Sequence, residues 1–366
     1  MKVLQVLPEL NSGGVERGTL DLARYLVEHD HQSCVMSAGG AMVAQLLNEG
    51  SEHIQFAVHK KSLRSLLLVK QLRQCLIELN PDLIHVRSRV PAWLVYLALR
   101  KWPLAQKPAL VSTFHGLYST NRYSEIMGCG DQVIAISQCV KAYIIENYPR
   151  INASKITVVP RGVDTKLFTS DLAINEAWQS NFYDRNPNAK DKPIVLMPGR
   201  ITRWKGQLAF IRMMADLIAS GHSCHGLIVG GGDKDSSYMQ ELLASIEQRD
   251  VKDHVTLLGH SDDMAQLYAL SSVVCNLSQH AEPFGRTVIE ALAVGTPVVS
   301  YNYGGPAESL SVCFEEGLVD LNDEQALQSK VAAYLHTRPL INLAPEFTLA
   351  VQAQSTLDVY DKALGV

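Results

Sequence analysis

The sequence has no long apolar run, no closely paired cysteines and no excess of positive charge, and each absence excludes a class of protein. Its apolar segments stop well short of the roughly 20 residues that a membrane-spanning helix needs. The seven cysteines form no C-x-x-C pair, and several stand in apolar segments, which indicates reduced core thiols. The formal net charge of -4 excludes a generally basic nucleic-acid binder.

Length and composition indicate a folded protein with two domains. The 366 residues are 47% hydrophobic and 19% charged, which argues against disorder and exceeds what one ordinary core holds. The first residues, Met1 to Pro8, resemble a strand and lack the apolar stretch and cleavage site of a signal peptide. We therefore expect a cytoplasmic protein that begins at Met1.

Positive charge is concentrated between Lys60 and Lys107, where ten basic residues are accompanied only by Glu78 and Asp82. The ten are Lys60, Lys61, Arg64, Lys70, Arg73, Arg87, Arg89, Arg100, Lys101 and Lys107. Such a block could contact an anionic membrane surface or an anionic acceptor. A solvated face of helices is an equally weighted alternative.

Strand-like and helix-like segments alternate along the chain, which is typical of parallel sheets with helical crossovers. Apolar positions recur at helical spacing over Val15–Glu28 and Ser62–Leu79. The strand-like segments are Lys2–Leu7, Gln32–Ser37, Ile54–Val58, Leu83–Val86, Ala109–Thr113, Gln132–Ile136, Ile156–Val159, Ile194–Met197, Gly226–Val229, Val255–Leu258, Val273–Leu277 and Val298–Ser300.

The alternation is interrupted by an Asn-rich polar stretch between Asp164 and Lys192. The pattern predicts an α/β protein with two Rossmann-like, doubly wound domains, over residues 1–170 and 171–345. A last helical stretch over 346–366 is long enough to return to the first domain. Such domains have a cleft between them and bind ligands at the carboxyl ends of their strands.

A pair of cations follows the strand-like segment that ends near Met197. In Gly199-Arg-Ile-Thr-Arg-Trp-Lys-Gly206, Arg200 and Lys205 would flank an anion, Arg200 as a bidentate donor and Lys205 as a point charge. The spacing of a Walker loop is absent. The run predicts a diphosphate site, with Arg203 as an exposed additional cation.

Gly13 and Gly14 follow the first strand-like segment, where a backbone without side chains can approach a phosphate or a sugar closely. The run lacks the G-x-G-x-x-G spacing of a dinucleotide fingerprint, so a dehydrogenase is not favoured. A tight turn without a ligand is the alternative.

Two carboxylates eight positions apart, Glu282 and Glu290, bracket a Phe-Gly turn and the start of an apolar helix. A carboxylate accepts paired hydrogen bonds from the adjacent hydroxyls of a ribose or a sugar, and amides at a helix start attract phosphate. The run therefore suits a polyhydroxylated, phosphorylated ligand. The alternative is that Glu282 caps the helix and Glu290 is a surface or packing acid.

Taken together, the motifs resemble the retaining glycosyltransferases of family four, which have the two-domain GT-B fold. Their order and spacing cover nearly the whole chain. The matching pieces are Gly13-Gly14, Phe114-His115-Gly116, Ala135-Ile-Ser137, Val159 to Asp164, Gly199-Arg200 with Lys205-Gly206, Gly230 to Gly232, Leu258 to His260, Glu282 to Glu290, Gly295 to Val299 and Tyr303 to Glu308.

The resemblance implies a role for each site residue. Arg200 and Lys205 would hold the donor diphosphate, Glu290 the ribose and Glu282 the transferred sugar. His115 would contact the sugar near the reacting carbon and, with Glu282, Arg200 and Lys205, would form the catalytic set. The other donor-binding positions that it implies are Gly14, Leu258, Ser261, Phe284, Gly285, Arg286 and Thr287.

The resemblance also implies the reaction. We expect a hexosyltransferase of the EC 2.4 type that moves a sugar from a UDP- or GDP-sugar to a hydroxyl of an envelope glycan or lipid-linked acceptor, with retention of configuration. In this family retention is usually explained by acceptor attack on the side from which the diphosphate leaves, so no protein nucleophile is assigned. Such a role fits lipopolysaccharide or polysaccharide biosynthesis by a peripheral protein at the inner face of the cytoplasmic membrane.

We expect no cofactor and no essential metal. Asp233-Lys-Asp235 has the form of a metal-binding D-x-D run, but it follows three glycines and suits a polar turn and helix cap. Two alternatives to glycosyl transfer remain open: a sugar-nucleotide epimerase or phosphorylase with the same fold, and a non-catalytic binder of nucleotide sugars.

Overall fold

The computed structural model describes residues 1–11, 13–59, 68–103, 107–233 and 235–366. They form two compact units, here called the first unit (Met1–Pro160 with Leu349–Val366) and the second unit (Arg161–Thr348). The predicted boundary after residue 170 therefore falls inside the second unit. The reason is local: Val163 pairs with Thr348, and its amide donates to the carbonyl of Phe347 at 2.8 Å.

The first unit is built on a parallel sheet of seven strands. The strands are β1 (Lys2–Val6), β2 (Gln32–Ser37), β3 (Glu52–Gln55), β4 (Leu83–Val86), β5 (Ala109–Phe114), β6 (Gln132–Ala135) and β7 (Ile156–Val158). Their order in the sheet is β3-β2-β1-β4-β5-β6-β7, so the direction of winding reverses between β1 and β4. Ligands of doubly wound sheets bind beside this point, at the carboxyl ends of the strands.

Helices connect these strands. They are α1 (Gly14–Glu28), α2 (Val43–Asn48), α3 (Leu68–Leu79), α4 (Arg89–Leu99), α5 (Arg122–Glu125) and α6 (Gln138–Asn147). Residues 62–67 of the predicted second helix lie outside the described residues. The third strand is Glu52–Gln55 and not Ile54–Val58 as predicted, because β2 pairs its residues Cys34 to Ser37 with Glu52 to Gln55.

The second unit repeats this plan with six parallel strands. They are β8 (Ile194–Pro198), β9 (His225–Val229), β10 (Val255–Gly259), β11 (Val273–Asn276), β12 (Val298–Tyr301) and β13 (Leu318–Val319). The order β10-β9-β8-β11-β12-β13 places the reversal between β8 and β11. The predicted fold class, two doubly wound α/β domains, is confirmed, and β13 is an edge strand that the sequence pattern does not reveal.

The helices of the second unit lie on its sheet and complete its core. They are α7 (Glu176–Arg185), α8 (Gln207–Ala219), α9 (Ser237–Gln248), α10 (Met264–Leu270), α11 (Arg286–Ala293), α12 (Gly305–Cys313) and α13 (Glu324–Tyr334). In α8, Phe210, Met214 and Leu217 recur at spacings of four and three and are buried in the same cluster as β8 and β11. The burial of this apolar face holds the loop before α8 in place.

The last helix, α14 (Leu349–Leu364), belongs to the first unit. Its Leu357 and Tyr360 are buried in one cluster with Val3 and Leu83 of the sheet. The Tyr360 hydroxyl lies 2.7 Å from His85 Nδ1, and burial lowers the pKa of His85 well below its usual range. The helix thus covers the sheet of the first unit through both apolar contacts and a buried polar one.

Two surface properties bear on the predicted partners. None of the helices in the described ranges has the length and apolar character needed to cross a membrane. The basic block does not form one exposed face. Lys60, Lys61 and Arg64 lie outside the described residues, Arg87 is buried, and Arg73 donates to backbone carbonyls of α4.

Candidate functional site

The loop after β8 is held in a conformation that requires glycine. The Gly199 amide donates to the carbonyl of Val229 at 2.8 Å, and a 3-10 turn over Arg203–Lys205 leads into Gly206. Gly206 has φ 86°, and a Cβ there would lie 2.0 Å from the carbonyl oxygen of Leu277. The loop therefore lies directly against the segment that follows β11.

That segment, residues 277–282, is fixed from two sides. Gln279 donates its amide to the carbonyl of Trp204 at 2.7 Å, and the Glu282 carbonyl accepts from Gly305 at 2.8 Å. At Gly304, a Cβ would lie 2.8 Å from the Glu282 nitrogen. Glycines at the start of α12 thus let the backbone of Glu282 approach closely.

Lys205 and Glu282 form a buried ion pair at the point where the strand order of the second sheet reverses. Lys205 Nζ lies 2.6 Å from Glu282 Oε1, and Glu282 is 5% exposed. Asn276 Nδ2, at 3.1 Å, and the Ser278 hydroxyl donate to the same oxygen. Three donors therefore compensate the buried carboxylate at one oxygen.

The second oxygen of Glu282, Oε2, makes no hydrogen bond with the described residues. A carboxylate that is anchored through one oxygen can accept hydroxyl groups of a ligand through the other. The sequence predicted that Lys205 and Glu282 both contact a ligand. It did not predict their pairing, nor the parts played by Asn276 and Ser278.

Arg200 is exposed, and its guanidinium makes no hydrogen bond within the described ranges. Its backbone carbonyl accepts from Gln207 Nε2 at 2.9 Å, and Gln207 Oε1 accepts from the Tyr238 hydroxyl at 3.1 Å. The main chain is thus fixed while the guanidinium can reach a ligand. Arg203 is engaged elsewhere, because it pairs with Glu241 at 2.5 Å.

Glu290 lies within α11 and is 8% exposed. Arg286 Nη2 donates to Oε1 at 3.1 Å, and the Tyr268 hydroxyl donates to Oε2 at 3.0 Å. Burial raises the pKa of Glu290, while the charge of Arg286 and the two hydrogen bonds act in the opposite direction. Tyr268 was not predicted. A tyrosine within an apolar helix was the available signal, since its hydroxyl needs a partner when buried.

The start of α11 is formed by Phe284 to Thr287. Gly285, with φ 88°, precedes the helix, and a Cβ there would lie 2.7 Å from Pro306. The Phe284 ring is buried with its centre 6.2 Å from that of Phe347. Phe284 and Gly285 can therefore contact a ligand mainly through their backbones, at the positive end of the helix.

The ends of β8, β9 and β10 lie close together and carry few side chains. A Cβ on Gly230 would lie 2.0 Å from the Gly199 oxygen, and the Gly230 amide donates to the Gly259 carbonyl at 2.8 Å. Leu258 and Ser261 stand at the same edge and are half-buried, and Ser261 Oγ accepts from the Asp263 amide at 3.2 Å. Leu258 and Ser261 therefore stand at the carboxyl edge of the second sheet, where the resemblance implies donor-binding positions.

Asp233 forms a turn. Its carboxylate accepts from the Asp235 amide at 3.0 Å, and Ser236, whose hydroxyl donates to the Asp233 carbonyl, caps α9. Lys234 lies outside the described residues. Among the residues with described positions, no group of three or more His, Cys, Asp and Glu side chains could hold a metal ion.

Gly14 and His115 belong to the first unit. Gly13, with φ 146°, precedes α1, which begins at Gly14. His115 follows β5 and is half-buried, and its amide donates to the Tyr118 hydroxyl at 3.3 Å. Both residues thus stand at the carboxyl edge of the first sheet. The remaining predicted site residues belong to the second unit.

Comparison with known proteins shows similarity over nearly the whole chain. The family model described as Glycosyltransferase Family 4 matches residues 12–167, and the one described as Glycosyl transferases group 1 matches residues 179–345. A glycosyltransferase from Rickettsia africae ESF-5 of known crystal structure is 30% identical, with a TM-score of 0.85, over 99% of this chain and 98% of that one.

Two further similarities are more distant. Anabaena Alr3699/HepE, solved in complex with UDP and glucose, shares the fold at 23% identity and a TM-score of 0.73, over 100% of this chain and 95% of that chain. The lipopolysaccharide core biosynthesis mannosyltransferase LpsB of Rhizobium meliloti is 26% identical over 64% of this chain and 66% of that protein. The chain spans 57% to 66% of the length of this and two other curated relatives. The chain belongs to the family 4 glycosyltransferases, as its motifs predicted.

Proposed function

We propose that this protein is a retaining hexosyltransferase that moves a sugar from a UDP- or GDP-sugar to a hydroxyl of an envelope glycan or lipid-linked acceptor. The observation that carries the proposal is the buried pair of Lys205 and Glu282, 2.6 Å apart, at the reversal of strand order. It places a cation and an anchored hydroxyl acceptor side by side. A phosphorylated sugar presents both kinds of partner.

The chemistry follows from the leaving group. When a nucleoside diphosphate departs, negative charge develops on phosphate oxygens while the sugar acquires oxocarbenium character. Lys205, Arg200 and the amides at the start of α11 would stabilise that charge, and preorganised charges of this kind are the largest catalytic contribution in many enzymes. No separate acid is required for such a leaving group.

The two glutamates would then have different tasks. Glu282 would accept hydroxyls of the transferred sugar through Oε2, and Glu290 would accept those of the ribose. For retention, the acceptor would attack on the side from which the diphosphate leaves, and the diphosphate would assist its deprotonation. We propose no essential metal, because Lys205 and Arg200 supply positive charge at the position of the diphosphate.

Two of the similar proteins support this donor and this acceptor class. HepE, which shares the fold, was solved with UDP and glucose, and LpsB is named for a mannosyl transfer in lipopolysaccharide core biosynthesis. The exposed basic residues Lys70, Arg100, Lys101 and Lys107 support a peripheral contact with the inner face of the cytoplasmic membrane. Binding that is indifferent to the fraction of anionic lipid in liposomes would remove the membrane part.

The test is product analysis with purified protein. UDP- and GDP-sugars are offered singly with and without glycan or lipid-linked acceptors, and the nucleotide released and the anomeric configuration of the product are measured by NMR. We expect acceptor-dependent release of the nucleoside diphosphate and retained configuration, with EDTA present. A new sugar nucleotide formed without acceptor would indicate an epimerase, and tight donor binding without turnover would indicate a binder.

A further inference from the structure

Arg87 is a buried guanidinium that none of the steps proposed above uses. It follows β4 directly and is 4% exposed. Its amide donates to the carbonyl of Val6, the last residue of β1, at 3.0 Å. Arg87 therefore stands between β1 and β4, where the strand order of the first sheet reverses and where ligands of doubly wound sheets bind.

Only one nitrogen of this guanidinium has a hydrogen-bond partner among the described residues. Nη1 donates to Gln5 Oε1 at 2.7 Å, and Gln5 donates in turn to the carbonyl of Thr19 in α1 at 3.1 Å. Nε is buried and unpartnered, and Nη2 makes neither a hydrogen bond nor an ion pair with a described residue. Nε and Nη2 form one edge of the guanidinium, whose two N–H groups match a carboxylate or a phosphate.

Two other arginines show how this edge is ordinarily used in the same chain. In Arg150, Nε and Nη2 contact the carboxylate of Glu125 at 2.8 and 2.9 Å. In Arg212, the same two nitrogens contact Glu324 at 2.9 and 2.7 Å. Those pairs are exposed, where an ion pair contributes little. Arg87 is buried, so a counter-ion would matter more for it than for Arg150 or Arg212. No acidic group lies within ion-pair distance of Arg87 among the described residues.

Burial and nearby groups act on the charge of Arg87 in opposite directions. Burial lowers its pKa to about 10, against the attraction of Tyr360, Asp21, Glu16 and Tyr118. Keeping this buried charge costs free energy, and a bound anion would offset that cost.

We propose that the Nε–Nη2 edge of Arg87 binds an anionic group of the acceptor, a phosphate or a carboxylate that presents two oxygens. The assignment to the acceptor rests on the proposed function; the anion site itself does not. Arg87 would then determine specificity, because acceptors that lack the anionic group would leave a buried charge without its partner.

The test uses inorganic phosphate as the probe and the full chain. Thermal unfolding is followed for wild type, Arg87→Met and Arg73→Met at constant ionic strength, both without UDP and with UDP at saturation to occupy the donor site. Arg73 is the matched control, since its guanidinium lies in the same unit and donates to the carbonyls of Ala98 and Leu97. Phosphate should raise the Tm of wild type and Arg73→Met, and should bind about 10- to 100-fold more weakly to Arg87→Met.

Without phosphate, Arg87→Met removes a buried charge that has no counter-ion but leaves Gln5 Oε1 without its donor, so the two effects on stability oppose each other and the phosphate response is the test of the site. An unchanged phosphate response in Arg87→Met would overturn the site. A wild-type response that UDP abolishes would assign the anion to the donor and overturn the acceptor assignment. If Arg87→Met does not fold, Arg87→Lys, which keeps the charge but loses the bidentate edge, should still weaken phosphate binding, and an unchanged response there would overturn the proposal.

The two proposals fail separately. A chain that transfers no sugar but binds phosphate through Arg87 would refute the proposed function and keep the anion site. A transferase whose phosphate response does not depend on Arg87 would do the reverse.

Discussion

The two sheets have the same strand order, yet the residues at their reversal points differ in how their charge is compensated. In the second unit, Glu282 is buried with Lys205, Asn276 and Ser278 as donors to one oxygen. In the first unit, Arg87 is equally buried, and its side chain has a single neutral partner, Gln5, among the residues with described positions. The carboxylate of Glu282 keeps one oxygen for hydroxyl groups, whereas the guanidinium of Arg87 has no ion-pair partner among the described residues. The two units thus share a fold but place differently compensated charges at the ends of their strands.

The largest effect should come from breaking the compensated pair. Lys205→Met should lower kcat about 100- to 1,000-fold, because it removes a cation placed where charge develops in the transition state. It should also destabilise the protein by about 3 to 5 kcal/mol, since Glu282 is left buried without its cation. Steady-state kinetics and denaturant unfolding measure the two effects separately.

A double variant separates stability from catalysis. Lys205→Met with Glu282→Gln removes both charges and should recover most of the lost stability but none of the lost turnover. Arg203→Met, which breaks an exposed pair with Glu241, is the control and should stay close to wild type in both measurements. Recovery of turnover in the double variant would show that the pair acts only on folding.

The next effect in size concerns the ribose contact that we propose for Glu290. Glu290→Gln should weaken binding of the nucleoside diphosphate about 10-fold, because hydrogen bonds to a charged acceptor are worth about 1.5 to 3 kcal/mol. Turnover at saturating donor should change little. Calorimetric titration with UDP and GDP checks this, and a fall in kcat at unchanged affinity would contradict the division of tasks between Glu290 and Glu282.

The same substitution has a pH signature. Burial raises the pKa of Glu290 above its ordinary value of 4.5, so the folded state binds the proton more tightly than the unfolded state. Unfolding free energy should therefore fall as pH rises from about 4.5 through the raised pKa, and this fall should be absent in Glu290→Gln. Parallel stability curves of the two proteins across that interval would contradict the burial argument.

A smaller effect should come from Ser278, whose hydroxyl donates to Glu282 Oε1. Ser278→Ala should lower kcat by about 10-fold or less, because one of three hydrogen bonds to Oε1 is lost while the ion pair stays. Ser278→Thr keeps a hydroxyl and should recover part of the rate. An Ala variant at wild-type rate would show that Lys205 and Asn276 suffice to hold the carboxylate.

How far the sequence predicts these sites depends on how many positions along the chain separate the residues in contact. Alternating strand and helix patterns predicted the fold class, and the motifs after β8 and β11 predicted Lys205 and Glu282, because such patterns are local. The pairing of these two residues joins positions 77 apart and depends on β11 lying next to β8, which no local pattern states. The same holds for Tyr268 with Glu290, 22 positions apart. Arg87 looked like one member of a basic block until the strand order showed it buried.

The smallest effect on activity is expected at Tyr360, whose buried hydroxyl has His85 as its partner in the first unit. The effect on stability should be clear. Tyr360→Phe removes the hydroxyl that lies 2.7 Å from His85 Nδ1 and should cost about 1 to 3 kcal/mol, since a buried ring nitrogen then lacks its partner. Turnover at saturating substrates should stay within about twofold of wild type, because this contact lies between α14 and the sheet. Denaturant unfolding measures the cost. The comparison with Arg87→Met concerns the response to phosphate: Tyr360→Phe should keep the rise in Tm that phosphate causes in wild type, whereas Arg87→Met should lose most of it. If the two substitutions leave the same phosphate response, Arg87 is part of the fold and not an anion site.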